Sequence, residues 1–318
     1  MLTFCRLLAA ACIATAALLQ AGCATAPAGS AASADAVRLD ATPRIAVISA
    51  FPPELVPLLS RVEQQRRHTV NGVEFTTGML QGKPVVVFLS GISMTNAAMT
   101  TQLALDRFRI SHIVVSGIAG GVNPGLGVGD VTVAHRWGQY LEVLAARETA
   151  PGRYQPPGWM RDATVPNFGL WHPRPVEVRS AGRTGTERKF WFDADPAMLQ
   201  VAERLRGSVT LERCDADRRC LSRTPGVVPG GTGVSGSAFV DNAALRDYIF
   251  KTFQANVLDM ETAAIAHVAY ANGVPYIAFR SLSDLAGGGE GENEMGTFLK
   301  IAADNSARVL LAFLAAWR

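Results

Sequence analysis

Short apolar runs alternate with longer amphipathic segments over most of the chain, and this alternation predicts the elements. "RIAVISA" (44–50) reads as a buried first strand ending on a small residue. "PPELVPLLSRVEQ" predicts a helix, since Pro52 and Pro53 suit a helix entrance and Glu54 falls in the first turn. "VEFTTGMLQGKPVVVFLS" predicts a hairpin turning at "QGKP". "NAAMTTQLALDRF" follows as a helix, "HIVVSGIAGG" as a strand running into a glycine turn, and "GDVTVAHRW" as another strand. Buried strands alternating with helices predict an α/β sheet covered on both faces.

Between about 138 and 225 the periodicity weakens. Pro, Arg and Trp accumulate there, as in "YQPPGWMRD" and "FGLWHPRP", and one helix is expected near "DPAMLQVAERLR". This region reads as an insertion or a set of excursions. Order returns at "GVVPGGTGVSGSAFVDN", followed by the helix "NAALRDYIFKTF". "VLDM" then predicts a strand, "ETAAIAHVAYANG" a helix stopped at Asn272-Gly273, and "VPYIAFRSLSD" a strand. A glycine-rich loop, "LAGGGEGENE", precedes a last helix at about 296–317. There is no internal repeat.

The first residues change the picture of location. One Arg precedes an apolar run from Leu7 to Leu19, and small residues follow. This is the pattern of a secretory signal over 1–22, too short for a membrane span. "LQAGC" resembles a bacterial lipoprotein cleavage site, making Cys23 the lipidated first residue, although Gln20 stands where an aliphatic residue is usual. Ordinary cleavage after "ATA" or "ASA" is the alternative. Residues 23–42, rich in Ala, Ser and Pro, read as a flexible tether to a single domain over 43–318. The expected location is the periplasm, or the outer membrane of a bacterium through a lipid anchor.

Cysteine usage agrees with export. Cys5 and Cys12 lie in the signal, which leaves Cys23, Cys214 and Cys220. In an oxidising compartment Cys214 and Cys220 can close a small loop, worth about 2.4 kcal/mol of chain entropy. A metal site is the rival reading, but two sulfurs without a matching His or Cys cluster supply too few ligands. The 318 residues carry a net charge of only +3, with no dense Lys/Arg run, so a nucleic-acid partner is not expected.

Candidate chemistry gathers at strand ends, where α/β folds collect ligands. Glu261 stands where the strand "VLDM" meets the next helix. A carboxylate there serves a ligand or the positive end of that helix. "VVSGIAGG" ends in glycines that admit close backbone approach. Arg280, Ser283 and Asp284 sit at or beyond another strand end. Taken alone, Asp284 also reads as a helix cap or turn residue, and Arg280 as the partner of a nearby acid. Together these ends predict one polar cleft.

"LDMETAAIAHVAYANGVPYIAFRSLSDLAGG" resembles the signature of nucleoside phosphorylase-like proteins, and most closely the 5′-methylthioadenosine/S-adenosylhomocysteine nucleosidase branch. "SGISMTNAAMTTQ" and "GIAGGVNPGLGVGDVTV" resemble two further blocks of that family in the right order. "HRW", "FWFDADP", "CDADRRCLSRTP" and "GGTGVSGSAFVDNAALRDYIF" are similar to the secreted bark- and vegetative-storage-like relatives. The resemblance implies a three-layer α/β/α sandwich around a central mixed β-sheet, a homo-oligomer with a dimer favoured, and no cofactor or metal.

It also implies roles. Glu54 aligns with the carboxylate that orients and deprotonates the attacking water, and Asp284 with the acid that protonates N7 of a purine. Glu261 aligns with the acceptor of the ribose hydroxyls. Met260 would pack under the sugar, Phe239 would stack on the base, and the Val240 backbone would read its edge. Arg280 would orient the water or Glu54, with Ser283 and Ile118 also at the substrate. Three departures stand out: Pro52 and Pro53 replace acids, Ile118 replaces a Ser found in some members, and Ser237 replaces an Asp.

The resulting expectation is hydrolysis of an adenine nucleoside by water. Phosphorolysis is the nearest alternative, and Arg136 is the cation that speaks for it. Against it, "ISAFPPEL" and "LSGISMTNA" hold no Lys or Arg to bind phosphate. A non-catalytic nucleoside binder or storage-like protein is the other alternative, opposed by the presence of both Glu54 and Asp284. A dinucleotide enzyme is not supported, because "GIAGGVNPG" lacks G-x-G-x-x-G spacing.

Overall fold

The structure, a computed structural model, describes residues 38–160 and 165–318. The signal segment, Cys23 and most of the tether lie outside the described residues. In chain order the elements begin with β1 (Asp40–Ser49), α1 (Pro52–Leu59), β2 (Glu63–Val70), β3 (Val73–Leu80), β4 (Lys83–Leu89), α2 (Met94–Arg107) and β5 (Phe108–Gly121). β6 (Val131–Val133) and β7 (Arg136–Gln139) follow. Six short strands come next: β8 (Val143–Ala145), β9 (Arg147–Ala150), β10 (Arg153–Gln155), β11 (Trp171–Pro173), β12 (Val176–Val178) and β13 (Glu187–Lys189). The chain continues with β14 (Trp191–Asp193), α3 (Pro196–Glu203), β15 (Val227–Pro229), β16 (Thr232–Ser235) and α4 (Ala243–Phe253). It closes with β17 (Ala255–Asp259), α5 (Thr262–Asn272), β18 (Tyr276–Asp284) and α6 (Met295–Ala316).

The main sheet is mixed. β1 lies parallel between β4 and β5, β18 runs parallel along β5, and β17 joins the end of β5 antiparallel through Val257–Gly121 and Leu258–Gly120. Side chains alternate across this sheet, so each strand feeds two cores. Ala46, Ile48, Val86 and Val115 pack with Ala263 and Ile265 of α5 on one face. Ile45, Val47, Val87 and Val114 pack with Leu55 and Leu58 of α1 and Leu310 and Phe313 of α6 on the other. Helices thus cover both faces, giving the expected α/β/α layering.

Two segments differ from the sequence reading. The helix expected to run through "SRVEQ" stops at Leu59, and Glu63–Val70 form strand β2. β2 is an edge strand exposed along most of its length, so it carries no apolar alternation to betray it. The first strand opens at Asp40, inside the stretch assigned to the tether, and Asp40 pairs in register with Phe108. Within 138–225, β14 pairs with β7 in the main sheet, whereas β8 with β11, β9 with β10 and β12 with β13 form separate two-stranded sheets. This part of the chain is therefore a series of excursions from the main body. In the last of them Cys214 and Cys220 are disulfide-bonded.

Candidate active site

A cleft enclosing about 700 Å³, part of it open to solvent, lies at the ends of β1, β5, β17 and β18. Glu54, Ile118, Phe239, Val240, Met260, Glu261, Ser283 and Asp284 all line it. Arg280 does not. Its side chain is only 1% exposed and stands behind the wall, against three carboxylates. The structure thus puts Arg280 beside the acids, Glu54 among them, and not among the lining residues. A long guanidinium projecting sideways from a fully buried strand reaches its neighbours' acids before it reaches the cleft.

Each nitrogen of Arg280 has a partner. Nε lies 2.8 Å from Asp259 Oδ2 and donates to Thr262 Oγ1 at 3.0 Å. Nη2 donates to Glu261 Oε2 at 3.3 Å, and Nη1 lies 3.7 Å from Glu54 Oε1. One guanidinium cannot neutralise three buried carboxylates. Burial therefore raises the Glu54 carboxyl above its ordinary range, although Arg280 and the N–H groups of Ile118, Ala50 and Phe51 pull it back. Glu261 is pushed up to about 7 by burial, with Arg280 opposing and the charges of Asp259 and Glu54 adding to the rise. Arg280 loses by burial but is held above its ordinary value by Asp259, Glu261 and Glu54.

Local sequence explains how these acids are aimed. Glu54 is the third residue of α1, behind two prolines that have no N–H to offer. Its Oε2 accepts from the N–H of Ala50 at 2.6 Å and of Phe51 at 3.4 Å, folding the carboxylate back over the helix start. Its Oε1 accepts from the N–H of Ile118 at 2.8 Å across the cleft floor. Glu261 precedes α5 but does not cap it. Its Oε1 accepts from the N–H of Ser93, at the start of α2, at 2.9 Å. The acid that serves the α5 start is Asp259, which accepts from the N–H of Glu261 at 3.2 Å and of Thr262 at 3.1 Å. The Ser235 and Thr262 hydroxyls also donate to it.

Asp284 ends β18 and is 3% exposed. Its Oδ2 accepts from Ser283 Oγ at 2.8 Å and its Oδ1 from the Ala286 N–H at 2.8 Å. Burial raises its pKa and the nearby Asp241 adds to the rise, while those donors and Asn293 oppose it. Val240 is buried, whereas Phe239 is 55% exposed and forms part of the rim. Among the described residues, no Lys or Arg lines the cleft. Arg136 lies elsewhere, its guanidinium 4.6 Å over the Trp191 ring.

Asp259, Ser93 and Thr262 were missed by sequence reasoning. The signal for Asp259 was present, since an acid two or three residues before a helix N-terminus is placed to cap it. Gly117 was noticed only as part of a glycine turn. A Cβ there would sit 2.1 Å from Arg280 Nη1 and 2.4 Å from Glu54 Oε1, so the backbone of β5 is bare where these two side chains cross it. Gly117→Ala is expected to cost about 1–3 kcal/mol of stability, read as a lower urea midpoint, and to lower activity with it. An unchanged midpoint and activity would show that the pair does not depend on this passage.

Comparison with known proteins follows the same outline. A family model described as the phosphorylase superfamily matches residues 44–315. A 5′-methylthioadenosine/S-adenosylhomocysteine nucleosidase of Bacillus licheniformis is 30% identical over 272 residues, covering 85% of this chain and 98% of that protein. The protein of the same name from Bacillus thuringiensis is 30% identical over 278 residues, covering 85% and 98%. Among solved structures, the nucleosidase of that name from Neisseria meningitidis, in complex with methylthio-immucillin-A, superposes with a TM-score of 0.63. It is 24% identical, covering 86% of this chain and 99% of its own. The futalosine hydrolase of Helicobacter pylori also superposes with a TM-score of 0.63, at 20% identity, covering 86% and 97%.

Proposed function

The chain belongs to the phosphorylase superfamily, in its 5′-methylthioadenosine/S-adenosylhomocysteine nucleosidase branch, and from that premise we propose that it hydrolyses the N-glycosidic bond of adenine nucleosides such as those two. The observation that carries this reading is the pairing of two buried carboxyl groups, Glu54 and Asp284, in one cleft without a lining cation.

Hydrolysis needs an activated water, an acid for the departing base and stabilisation of an oxocarbenium-like sugar. Glu54 is the base, its carboxylate held by three backbone N–H groups that favour the ionised form. Asp284 is the acid, its protonated form favoured by its enclosure. Glu261 accepts the 2′- and 3′-hydroxyls of the ribose, Met260 packs beneath it, and the negative charge around Arg280 favours the cationic sugar. Phe239 stacks on the purine from the rim while the backbone of Val240 meets its edge. Ser283 fixes the Asp284 carboxyl, and Arg280 positions Glu54 and Glu261 from behind.

Phosphate as nucleophile is disfavoured by the same geometry. A phosphate site needs free cations or clustered donors, and Arg280 is already committed to three acids. Purified protein incubated with methylthioadenosine in phosphate-free buffer is expected to release adenine and free methylthioribose at an undiminished rate. Strict phosphate dependence and a sugar 1-phosphate product would reject hydrolysis. Adenine-nucleoside binding without base release would favour the binder.

The protein is further proposed to act after export, in the periplasm or tethered to the outer membrane through Cys23, as a homo-oligomer. The signal pattern of residues 1–22 supports export, and the Cys214–Cys220 bond fits an oxidising compartment.

A further inference from the structure

Ser93 occupies the N-cap position of α2 with φ +84° and ψ 156°. Only glycine visits this region readily, so a serine there is strained. Serine at an N-cap ordinarily turns its hydroxyl onto the first turn of the helix. Here it makes no such bond. Its Oγ instead meets the Oγ of Ser237 at 2.9 Å, while its N–H donates to Glu261 Oε1 at 2.9 Å. Ser237 lies two residues before Phe239, on the segment between β16 and α4. One strained residue thus contacts both Glu261, which lines the cleft, and the segment that carries the rim residue Phe239.

We propose that Ser93 is a positioning residue that ties Glu261 to the loop carrying Phe239, setting the spacing between the sugar and base subsites. The proposal rests on the hydrolytic reading given above. The two ends of the tie differ in character. Glu261 is 5% exposed, and its other oxygen is held by Arg280, so the Ser93 N–H decides how the remaining lone pairs face the sugar. The Ser93–Ser237 contact is exposed. In the free protein water competes for it. A nucleoside seated against Phe239 displaces that water, and the contact then strengthens. The tie therefore acts chiefly in the substrate complex, and a strain tolerated at Ser93 in the free protein is repaid there.

Kinetics of Ser93→Ala, Ser237→Ala, the double variant and Ser93→Gly test this. Each single alanine variant is expected to raise KM for methylthioadenosine about 3–10-fold, as for one lost hydrogen bond, with kcat within about 2-fold. The double variant is expected to show no more than the larger single effect, because both remove the same contact. Ser93→Gly removes the tie and also the strain. It is expected to raise KM equally while its thermal midpoint holds or rises, a split that a merely structural role would not give. Unchanged KM in Ser93→Ala, or additive effects in the double variant, would overturn the proposal. Turnover by the wild type tests the hydrolytic reading separately. If it is absent, calorimetric affinity for methylthioadenosine takes the place of KM, with the same expected changes, and a wild type that does not bind overturns both.

Discussion

Asp284→Asn is expected to lower kcat for methylthioadenosine by about 10²–10⁴-fold, the usual contribution of a general acid. The amide keeps the shape of the carboxyl and can still accept from the Ala286 N–H, so the end of β18 should hold. What it cannot do is give a proton to the purine as the glycosidic bond breaks. An unprotonated purine is a poor leaving group, and the loss falls on the chemical step rather than on binding. KM is therefore expected to change only a few-fold. The pH profile supplies a second signature. Burial raises the pKa of Asp284, so the active, protonated form persists above the ordinary carboxylate range and is lost as pH rises through the raised value. The variant should lose that alkaline limb of kcat. A variant with kcat within 10-fold of the wild type and an unchanged alkaline limb would remove Asp284 from the acid role.

The sequence reading reached the site through its acids and missed what stands behind them. Glu261 and Asp284 were legible because each lies where an apolar strand ends, whereas Glu54, in the first turn of a helix, was legible only through the family resemblance. Their convergence on one cleft was expected from the rule that α/β folds collect ligands at strand ends, and the family resemblance added Glu54 to it. Which acids Arg280 would meet was not legible, because a side chain's direction depends on its register, and β18 is buried at every one of its positions. Asp259 looked like the end of a strand. Its importance lies in contacts with Ser235 and Arg280, 24 and 21 residues away, which cannot be read from its neighbours. Strand β2 was lost for the opposite reason: an exposed edge has no buried face to write an alternation into the sequence.

Arg280→Met is expected to destabilise the fold by about 3–5 kcal/mol near pH 8, because it strands buried carboxylates without their cation. Methionine fills much of the same volume, so packing alone should cost far less. The pH dependence separates the two contributions. For a carboxyl whose folded-state pKa is raised, the unfolded chain releases its proton first. Stability is then highest below the unfolded value and falls as pH rises towards the folded one. Glu261, raised from 4.5 to about 7, already imposes such a fall on the wild type across that window, and Glu54 acts in the same direction. Arg280 is the influence that lowers both. Its removal should drive their folded-state values higher, so the fall becomes steeper and continues further into the alkaline range. Urea denaturation at pH 5 and pH 8 is therefore expected to show a small loss in the first case and a large one in the second. Adding Glu261→Gln to the variant should recover part of the loss at pH 8 and little at pH 5, since it removes one of the stranded charges. An equal loss at both pH values would mean that Arg280 contributes packing rather than charge. In that event the carboxylates of the cleft would have to be held ionised by their backbone donors alone, and the arginine would have no part in setting the base.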